Sequence, residues 1–233
     1  RDDDQAPAAA KFLKEALNAK TIFIVDDKTT YSQGLADGVS KAAKTLGMEV
    51  VEHDHVNQGD KDFAAVLTKA KQANADILYI SLQGYSPGAL MALQAKRLGM
   101  KSQIVTQDAM FQPKFMEVAK EAAEGVYLTY GFTDTTTPEY KAFEKIYVPK
   151  YGAIAAYATY AYDAATVLLQ AIKTAGSTDP AKIKAEIMKM DFDGVAKRIK
   201  FRENGDSGSS YIAYKIENGQ FVPYWAPEKG LLK

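Results

Sequence analysis

The sequence contains no cysteine, and this absence excludes disulfide scaffolds, iron–sulfur clusters and thiolate zinc sites. Only two histidines occur in 233 residues, so an acid–base enzyme built on histidine is hard to assemble. The 29 basic and 29 acidic side chains cancel, which argues against a nucleic-acid surface because phosphate binding needs a concentrated basic patch. No apolar run approaches the roughly 18–20 residues that are needed to cross a membrane.

Sequence motifs of several enzyme classes are also missing. No strand is followed by Gly-x-Gly-x-x-Gly, and there is no Walker-type Gly-Lys-Thr/Ser, Gly-x-Ser-x-Gly or His-Glu-x-x-His. The chain begins with Arg1 and shows no signal peptide, so we expect a mature product or a fragment. What remains is an ordinary globular composition, 47% hydrophobic and 25% charged, long enough for one large domain or two small ones.

The first part of the chain alternates between short apolar runs and helical periodicity. Runs that are nearly all apolar are typical of strands covered on both faces, and apolar residues at spacings of three and four indicate the helices between them. Five such strand–helix repeats predict an α/β fold with a doubly wound parallel sheet. The expected strands are 21–25, 48–51, 76–81, 103–105 and 125–129, and the expected helices are 31–46, 60–70, 86–98 and 111–120.

The pattern changes after about residue 130. Three successive helices, over about 137–151, 153–175 and 179–190, cannot continue the same sheet and indicate part of another lobe. Strands are predicted over 197–201 and 210–216, and Asn218-Gly219 marks the tip of a hairpin.

Ligands of open α/β sheets bind beyond the carboxyl ends of the strands. The loops there contain Tyr31 after the first strand, Gln83, Gly84 and Tyr85 after the third, and Gln107 and Asp108 after the fourth. We interpret Asp108 as a carboxylate aimed at a ligand ammonium group, and the alternative is a helix N-cap. The tyrosines combine apolar surface with a hydroxyl and suit a ligand-lining role, although ordinary packing is the alternative. The amides make a purely aliphatic ligand less favourable, because burying them without partners is costly.

Two further groups of polar residues have non-functional interpretations. Asp26 and Asp27 resemble the magnesium pair of a receiver domain, but no acidic phospho-acceptor follows the third strand, so a solvated turn is expected. His53 and His55 alternate on the second strand and share a face, whereas Asp54 points the other way. A metal site needs a further ligand, so the sequence favours a surface pair and predicts no metal.

Several segments resemble one family, in chain order and over essentially the whole sequence. They are Gln5-Ala-Pro-Ala-Ala-Ala, Ile-Phe-Ile-Val-Asp-Asp-Lys running into Tyr31-Ser-Gln-Gly, Gly59-Asp-Lys-Asp-Phe, Ala75-Asp-Ile-Leu-Tyr leading to Gly84-Tyr85, Ala123-Glu-Gly-Val, Ala158-Thr-Tyr-Ala-Tyr-Asp-Ala-Ala and Phe201-Arg-Glu-Asn-Gly-Asp. These segments are similar to the leucine/isoleucine/valine-binding proteins, the periplasmic components of branched-chain amino-acid ABC transporters. The resemblance implies a type I periplasmic binding protein fold of two α/β lobes joined by three crossing strands.

The resemblance assigns residues 1–130 to the second lobe, 131–210 to the return segment of the first lobe, and 211–233 to the crossing back. Tyr31, Tyr85 and Asp108 then match that lobe's ligand-binding positions, although glutamate is commoner at the acidic position. The stretch of the first lobe that grips the ligand carboxylate has no counterpart in this sequence. Its absence predicts exposed apolar helix faces around Tyr157, Tyr160, Leu168 and Leu169, and hence self-association or a complementing fragment.

The expected function is that of a periplasmic solute-binding protein without catalytic residues, cofactor or nucleic-acid partner. It would bind an amino acid or an amino-acid-like ligand and present it to an ABC permease in the inner membrane, with hinge closure on the ligand. The alternative is the ligand-sensing domain of a receptor or regulator built on the same fold.

Overall fold

The computed structural model describes residues 1–232, and the chain divides into two units. Unit 1 consists of Arg1–Gly131 together with the segment from Ser210 onward, and unit 2 is Phe132–Ser209. The assignment of these units to the two lobes of a larger protein stays a prediction.

Unit 1 is built around one eight-stranded sheet. The order of the strands is β10-β9-β8-β5-β4-β3-β1-β2. Neighbours from β2 to β5 are parallel, whereas β8, β9 and β10 are added antiparallel. The strands are β1 (Thr21–Asp26), β2 (Glu49–His55), β3 (Ile77–Ser81), β4 (Gln103–Thr106), β5 (Tyr127–Gly131), β8 (Tyr211–Glu217), β9 (Gln220–Ala226) and β10 (Gly230–Leu231).

Helices supply the crossovers that parallel strands need. The crossover helices are α2 (Thr30–Thr45), α3 (Ala64–Ala73), α4 (Tyr85–Arg97) and α5 (Pro113–Ala119), and a further helix, α1 (Asp2–Glu15), precedes the first strand. All five residues of β3 are buried, as expected of a strand with helices over both faces. The parallel α/β sheet predicted from the alternation of apolar runs and helices is therefore confirmed.

The first helix, α1, is absent from the sequence-based prediction. Pro7 and three acidic residues in the first turn obscure its helical pattern, although acidic side chains favour a helix N-terminus. The burial of its apolar face explains why the helix forms. Phe12 and Leu13 are fully buried, and the Phe12 ring lies 5.3 Å from Tyr127 and 5.7 Å from Trp225 between ring centroids. Burying a side chain of this size stabilises the fold by roughly 1.5–3 kcal/mol.

Two helices begin at other residues than predicted. The helix predicted from residue 60 begins at Ala64, because Asp60 is used in the preceding loop, where its carboxylate accepts the Asn57 N–H at 2.8 Å. The helix predicted from residue 86 begins at Tyr85, and Gly84 is its N-cap with a φ of 96° that favours glycine. The predicted hairpin at Asn218-Gly219 is confirmed, since both residues have positive φ between β8 and β9.

Unit 2 contains three helices and a small antiparallel pair of strands. They are α6 (Pro138–Tyr151), α7 (Ala158–Ala175), α8 (Pro180–Ile187), β6 (Asp191–Asp193) and β7 (Arg198–Lys200). The buried Asp163 of α7 accepts the backbone N–H groups of Val195 at 2.8 Å and Ala196 at 2.7 Å, which ties the helix to the loop after β6. The sequence analysis did not single out this carboxylate.

Large apolar side chains of unit 2 are exposed, as expected from the sequence. Leu169 is 65% exposed and Leu168 is 47% exposed, and both lie on α7. Tyr157 is also exposed, whereas Tyr160 is only half-buried and its hydroxyl lies 3.5 Å from the Phe132 carbonyl oxygen.

Candidate functional site

The loops at the carboxyl edge of the parallel strands are tied together by Asp27. Its carboxylate accepts the Gln83 N–H at 2.7 Å and the Thr29 hydroxyl at 2.7 Å. Burial opposes ionisation of Asp27, but hydrogen bonds from Ser32, Thr29 and Gln83 outweigh it and lower the pKa of that carboxyl below its usual value. The loops after β1 and β3 are therefore held together by one buried charge.

The side chains of Tyr31 and Asp108 meet at this edge. The Tyr31 hydroxyl lies 2.5 Å from Asp108 Oδ1 and 2.6 Å from Gln107 Oε1. Tyr31 sits in the first turn of α2, which Thr29 caps by accepting the Ser32 N–H. The structure thus brings together three of the residues that the sequence predicts for the site, from loops 76 positions apart in the chain.

Two residues that the sequence analysis missed, Gln5 and Thr129, lie near Asp108. Gln5 of α1 donates from Nε2 to Asp108 Oδ1 at 3.0 Å, and the same nitrogen lies 3.0 Å from Thr129 Oγ1 on β5. Gln5 and Thr129 are both buried. Gln5 belongs to the first segment of the family resemblance, and this was the one signal in the sequence that could have drawn attention to it.

Gln107 is fully buried and serves to position its neighbours. Its Nε2 donates to the Leu82 carbonyl at 2.7 Å, and its Oε1 accepts the Ala109 N–H at 2.6 Å as the cap of the short 3₁₀ turn Asp108–Met110. Gln107 rather than Asp108 therefore takes the capping role. A Cβ at Gly88 would collide with Met110, so glycine in α4 lets Met110 pack closely and anchor the turn.

Gln83, Gly84 and Tyr85 follow β3 and lie at the same edge of the sheet. Gln83 is exposed, Gly84 has a φ of 96°, and Tyr85 begins α4 with a half-buried side chain. The backbone N–H of Gln83 is bound by Asp27. Glycine at position 84 is required because a side chain there would be strained at this φ.

Asp108 lies close enough to Asp2 and Tyr79 to affect their ionisation. Burial raises the pKa of Asp2, and the neighbouring carboxylates of Asp108 and Asp3 raise it against the opposing effect of the N-terminal amine. Burial also raises the pKa of Tyr79, and the charges of Asp108 and Asp2 act in the same direction.

The chain belongs to the periplasmic binding protein family, whose sequence model matches residues 1–220. It is 34% identical over 222 residues to the Leu/Ile/Val-binding protein homolog 1 of Brucella melitensis, covering 94% of this chain and 59% of that protein. It is 30% identical over 207 residues to the leucine-, isoleucine-, valine-, threonine- and alanine-binding protein of Pseudomonas aeruginosa, covering 88% of this chain and 55% of that protein. These relatives are named as binding proteins rather than enzymes.

Solved structures show the same similarity. The leucine-binding protein LivK of Thermotoga maritima has a TM-score of 0.90 and 35% identity, covering 97% of this chain and 66% of that protein. The substrate-binding protein LivJ of Streptococcus pneumoniae, in complex with isoleucine, has a TM-score of 0.82 and 27% identity, covering 95% and 64% respectively. The chain therefore spans between 55% and 66% of the length of these four proteins.

Membership of this family implies a periplasmic location. Among residues 1–232, no helix combines the length and the apolar character needed to span a bilayer.

Proposed function

We propose that this chain is part of a periplasmic solute-binding protein that serves an ABC transporter and presents an amino acid or amino-acid-like ligand to the permease in the inner membrane. The observation that carries the proposal is the Asp108 carboxylate, held at the carboxyl edge of the sheet by Gln5 and Tyr31. The relatives are named for the amino acids leucine, isoleucine and valine, and in one case also threonine and alanine, which supports an amino-acid ligand here.

Asp108 would bind the α-ammonium group of the ligand. A charge-assisted hydrogen bond between an ammonium group and a carboxylate is about twice as strong as a neutral one. The hydrogen bonds from Tyr31 and Gln5 fix the carboxylate in advance, so less side-chain freedom is lost when the ligand binds. The nearby Asp2 adds to the negative potential that attracts a cation.

The other residues of the edge have separate roles in this proposal. Tyr31 and Tyr85 supply aromatic surface to the ligand. Gln83 and Gly84 shape the loop before Tyr85. Gln107 acts through its neighbours, because its Nε2 already donates to the Leu82 carbonyl and its Oε1 already accepts the Ala109 N–H.

This state of Gln107 bears on the expected polarity of the ligand. An amide that is already satisfied adds no desolvation cost when an aliphatic side chain binds nearby. Of the two amides, Gln83 and Gln107, that argued for a polar ligand, Gln107 no longer does so. Only the exposed Gln83 still supports a polar ligand. An aliphatic amino acid is accordingly the ligand that we propose to test first.

Replacing Asp108 by asparagine tests the ammonium site. The Asp108→Asn variant keeps the shape of the side chain and removes its charge, so the affinity should fall by about 1.5–3 kcal/mol, roughly 10- to 150-fold. Calorimetric titration of the intact two-lobe protein that contains this chain, with leucine, isoleucine, valine, threonine and alanine, measures this change. Glu117→Gln, an exposed carboxylate on α5, is the matched control for net charge and should bind as the unmodified protein does.

The identity of the ligand is tested by a thermal-shift panel of the twenty amino acids and small carboxylic acids. Stabilisation follows RT ln(1 + [L]/Kd), so a tight ligand raises the Tm by several degrees. Unchanged affinity in Asp108→Asn for every ligand that the unmodified protein binds would remove the role of Asp108, whereas a panel without any stabilising amino acid would remove the proposed ligand class.

We also propose that the exposed apolar side chains of unit 2 are covered in the whole protein by the part of the first lobe that this chain does not span. The Brucella melitensis relative is longer, since only 59% of it is matched. An exposed contiguous apolar surface is typical of a surface that packs against another structural element. A separately produced complementing segment, or a second copy of this chain, would serve the same purpose.

A further inference from the structure

A buried carboxylate lies between two imidazoles at the outer edge of the sheet in unit 1. Asp26 Oδ2 is 2.6 Å from His53 Nε2 and 2.8 Å from His55 Nδ1. Asp26 ends β1, and β2 is the edge strand beside it, with Asp26 opposite His55 and Ile24 opposite His53 in the parallel register. The period of two along each strand therefore places all three side chains on one face.

The three side chains differ in exposure. Asp26 is fully buried, the His53 side chain is 18% exposed, and the His55 side chain is 36% exposed. Each residue offers one ligand atom, and these three atoms lie within 4.8 Å of one another. Asp26 Oδ1 accepts the Lys28 N–H at 2.8 Å, which fixes the orientation of the carboxylate. The cluster is open to solvent on the side of the histidines.

We propose that Asp26, His53 and His55 bind a divalent transition metal ion such as Zn²⁺. Two imidazole nitrogens with one carboxylate oxygen are a donor set that Zn²⁺ accepts with bond lengths of roughly 2.0–2.2 Å. Donor atoms around a tetrahedral ion of that size are about 3.3 Å apart. The 2.6 and 2.8 Å separations therefore need to open by less than about 1 Å, which side-chain rotation of the partly exposed histidines can supply.

A second carboxylate stands behind the histidine that is more deeply buried. Asp37 Oδ1 on α2 lies 3.7 Å from His53 Nδ1, while His53 Nε2 faces Asp26. Histidines that bind metal commonly donate their other ring N–H to a carboxylate, which fixes the tautomer and the ring orientation. Asp37 would thus position His53, and water would complete the coordination.

This proposal departs from the sequence-based expectation of a surface pair without a metal. The missing ligand comes from β1, 27 positions before His53, and the strand pairing rather than a local motif brings it into place. The proposal is independent of the proposed ligand function, because none of these residues contacts Asp108 or Tyr31 through a hydrogen bond that the structure shows.

Titration of Zn²⁺ into the full chain tests the site. The protein should carry no affinity tag and should first be stripped of metal with a chelator that is then removed. Because the chain contains only two histidines and no cysteine, other sites of this type are not expected to compete. We expect calorimetry to give one equivalent of saturable binding, and NMR to show both imidazole side chains shifting together, whereas Mg²⁺ should cause neither effect.

Variants of the single residues identify the ligands. His53→Gln and His55→Gln should each weaken Zn²⁺ binding at least about tenfold, and Asp37→Asn should weaken it about tenfold. Asp54→Asn is the matched control, since Asp54 lies between the two histidines but points to Lys69, 2.7 Å away. Equal binding in the histidine variants, equal loss in Asp54→Asn, or the absence of saturable binding in the unmodified chain would overturn the proposal.

Discussion

At the scale of single residues, buried polar side chains of unit 1 hold loops in place. Asp27, Gln107 and Gln5 each bridge two or more segments from the interior of unit 1. A buried polar group stabilises a fold only when its hydrogen-bonding capacity is used, and these three residues meet that condition. Tyr79 does not, because no hydrogen-bond partner within residues 1–232 reaches its fully buried hydroxyl.

Removing the Tyr79 hydroxyl should therefore stabilise the protein. An unsatisfied buried hydroxyl costs about 1–3 kcal/mol, so Tyr79→Phe should leave the free energy of unfolding unchanged or raise it by up to about that amount. Urea unfolding followed by the fluorescence of Trp225, the single tryptophan, measures the change. Tyr31→Phe is the control and should be destabilised, because its hydroxyl bonds to Gln107 and Asp108. A loss of stability in Tyr79→Phe would show that the hydroxyl has a partner.

At the scale of elements, Asp76 joins the starts of two neighbouring strands. Its carboxylate accepts the N–H groups of Lys20 at 2.7 Å and Thr21 at 3.0 Å, while its own N–H donates to the Thr21 hydroxyl at 2.9 Å. These backbone hydrogen bonds lower the pKa of Asp76 below its usual value. The link holds β1 beside β3 at the amino end of the sheet.

The lowered pKa gives this link a defined pH dependence. Its contribution to stability is fully present above the unfolded-state pKa of about 3.9 and is lost as the pH falls through the folded-state pKa. Asp76→Ala should therefore lower the free energy of unfolding by about 0.5–1.5 kcal/mol at pH 7, reduced by solvent screening because Asp76 is exposed. The difference from the unmodified protein should shrink toward pH 3. A constant difference across this range would contradict the assigned role of the charge.

Several elements could be predicted from the sequence because their signals are local. The strand β3 has hydrophobic residues at all positions but its last, Ser81, and the Asn218-Gly219 turn follows from the positive φ that both residues tolerate. The exceptions depend on contacts between distant segments. The helix α1 forms because Phe12 and Leu13 pack into the core, and its local sequence, with Pro7 and an acidic first turn, does not predict this packing.

In the candidate site too, some residues could be located from local sequence signals and others depend on contacts between distant segments. Tyr31, Gln107 and Asp108 follow strands and could be located by the rule for open α/β sheets. Gln5 and Thr129 lie 103 and 21 positions from Asp108, and only the folded arrangement of α1 and β5 brings them to the carboxylate. His53 and His55 likewise showed their shared face in the sequence but not their buried partner Asp26.

At the scale of the whole molecule, the exposed apolar side chains of α7 predict self-association of residues 1–233 when no complementing segment is present. Replacing Leu168 and Leu169 together by glutamate should abolish the association, because charged side chains resist burial at an interface. Light scattering over a range of protein concentrations measures the mass. Leu46→Glu, at an exposed position after α2 in unit 1, is the control and should associate as the unmodified chain does. A monomer at all concentrations in the unmodified chain would contradict the prediction.

The pairing of β5 with β8 indicates how the chain could be shortened. Gly131, the last residue before unit 2, is the register partner of Tyr211, the second residue after unit 2. Unit 2 is thus an insertion between two adjacent antiparallel strands, the arrangement of an interrupted hairpin. An insertion of this kind can be deleted. Joining Gly131 to Tyr211 by a short Asn-Gly turn should leave a smaller protein that unfolds cooperatively by circular dichroism, with Trp225 still buried.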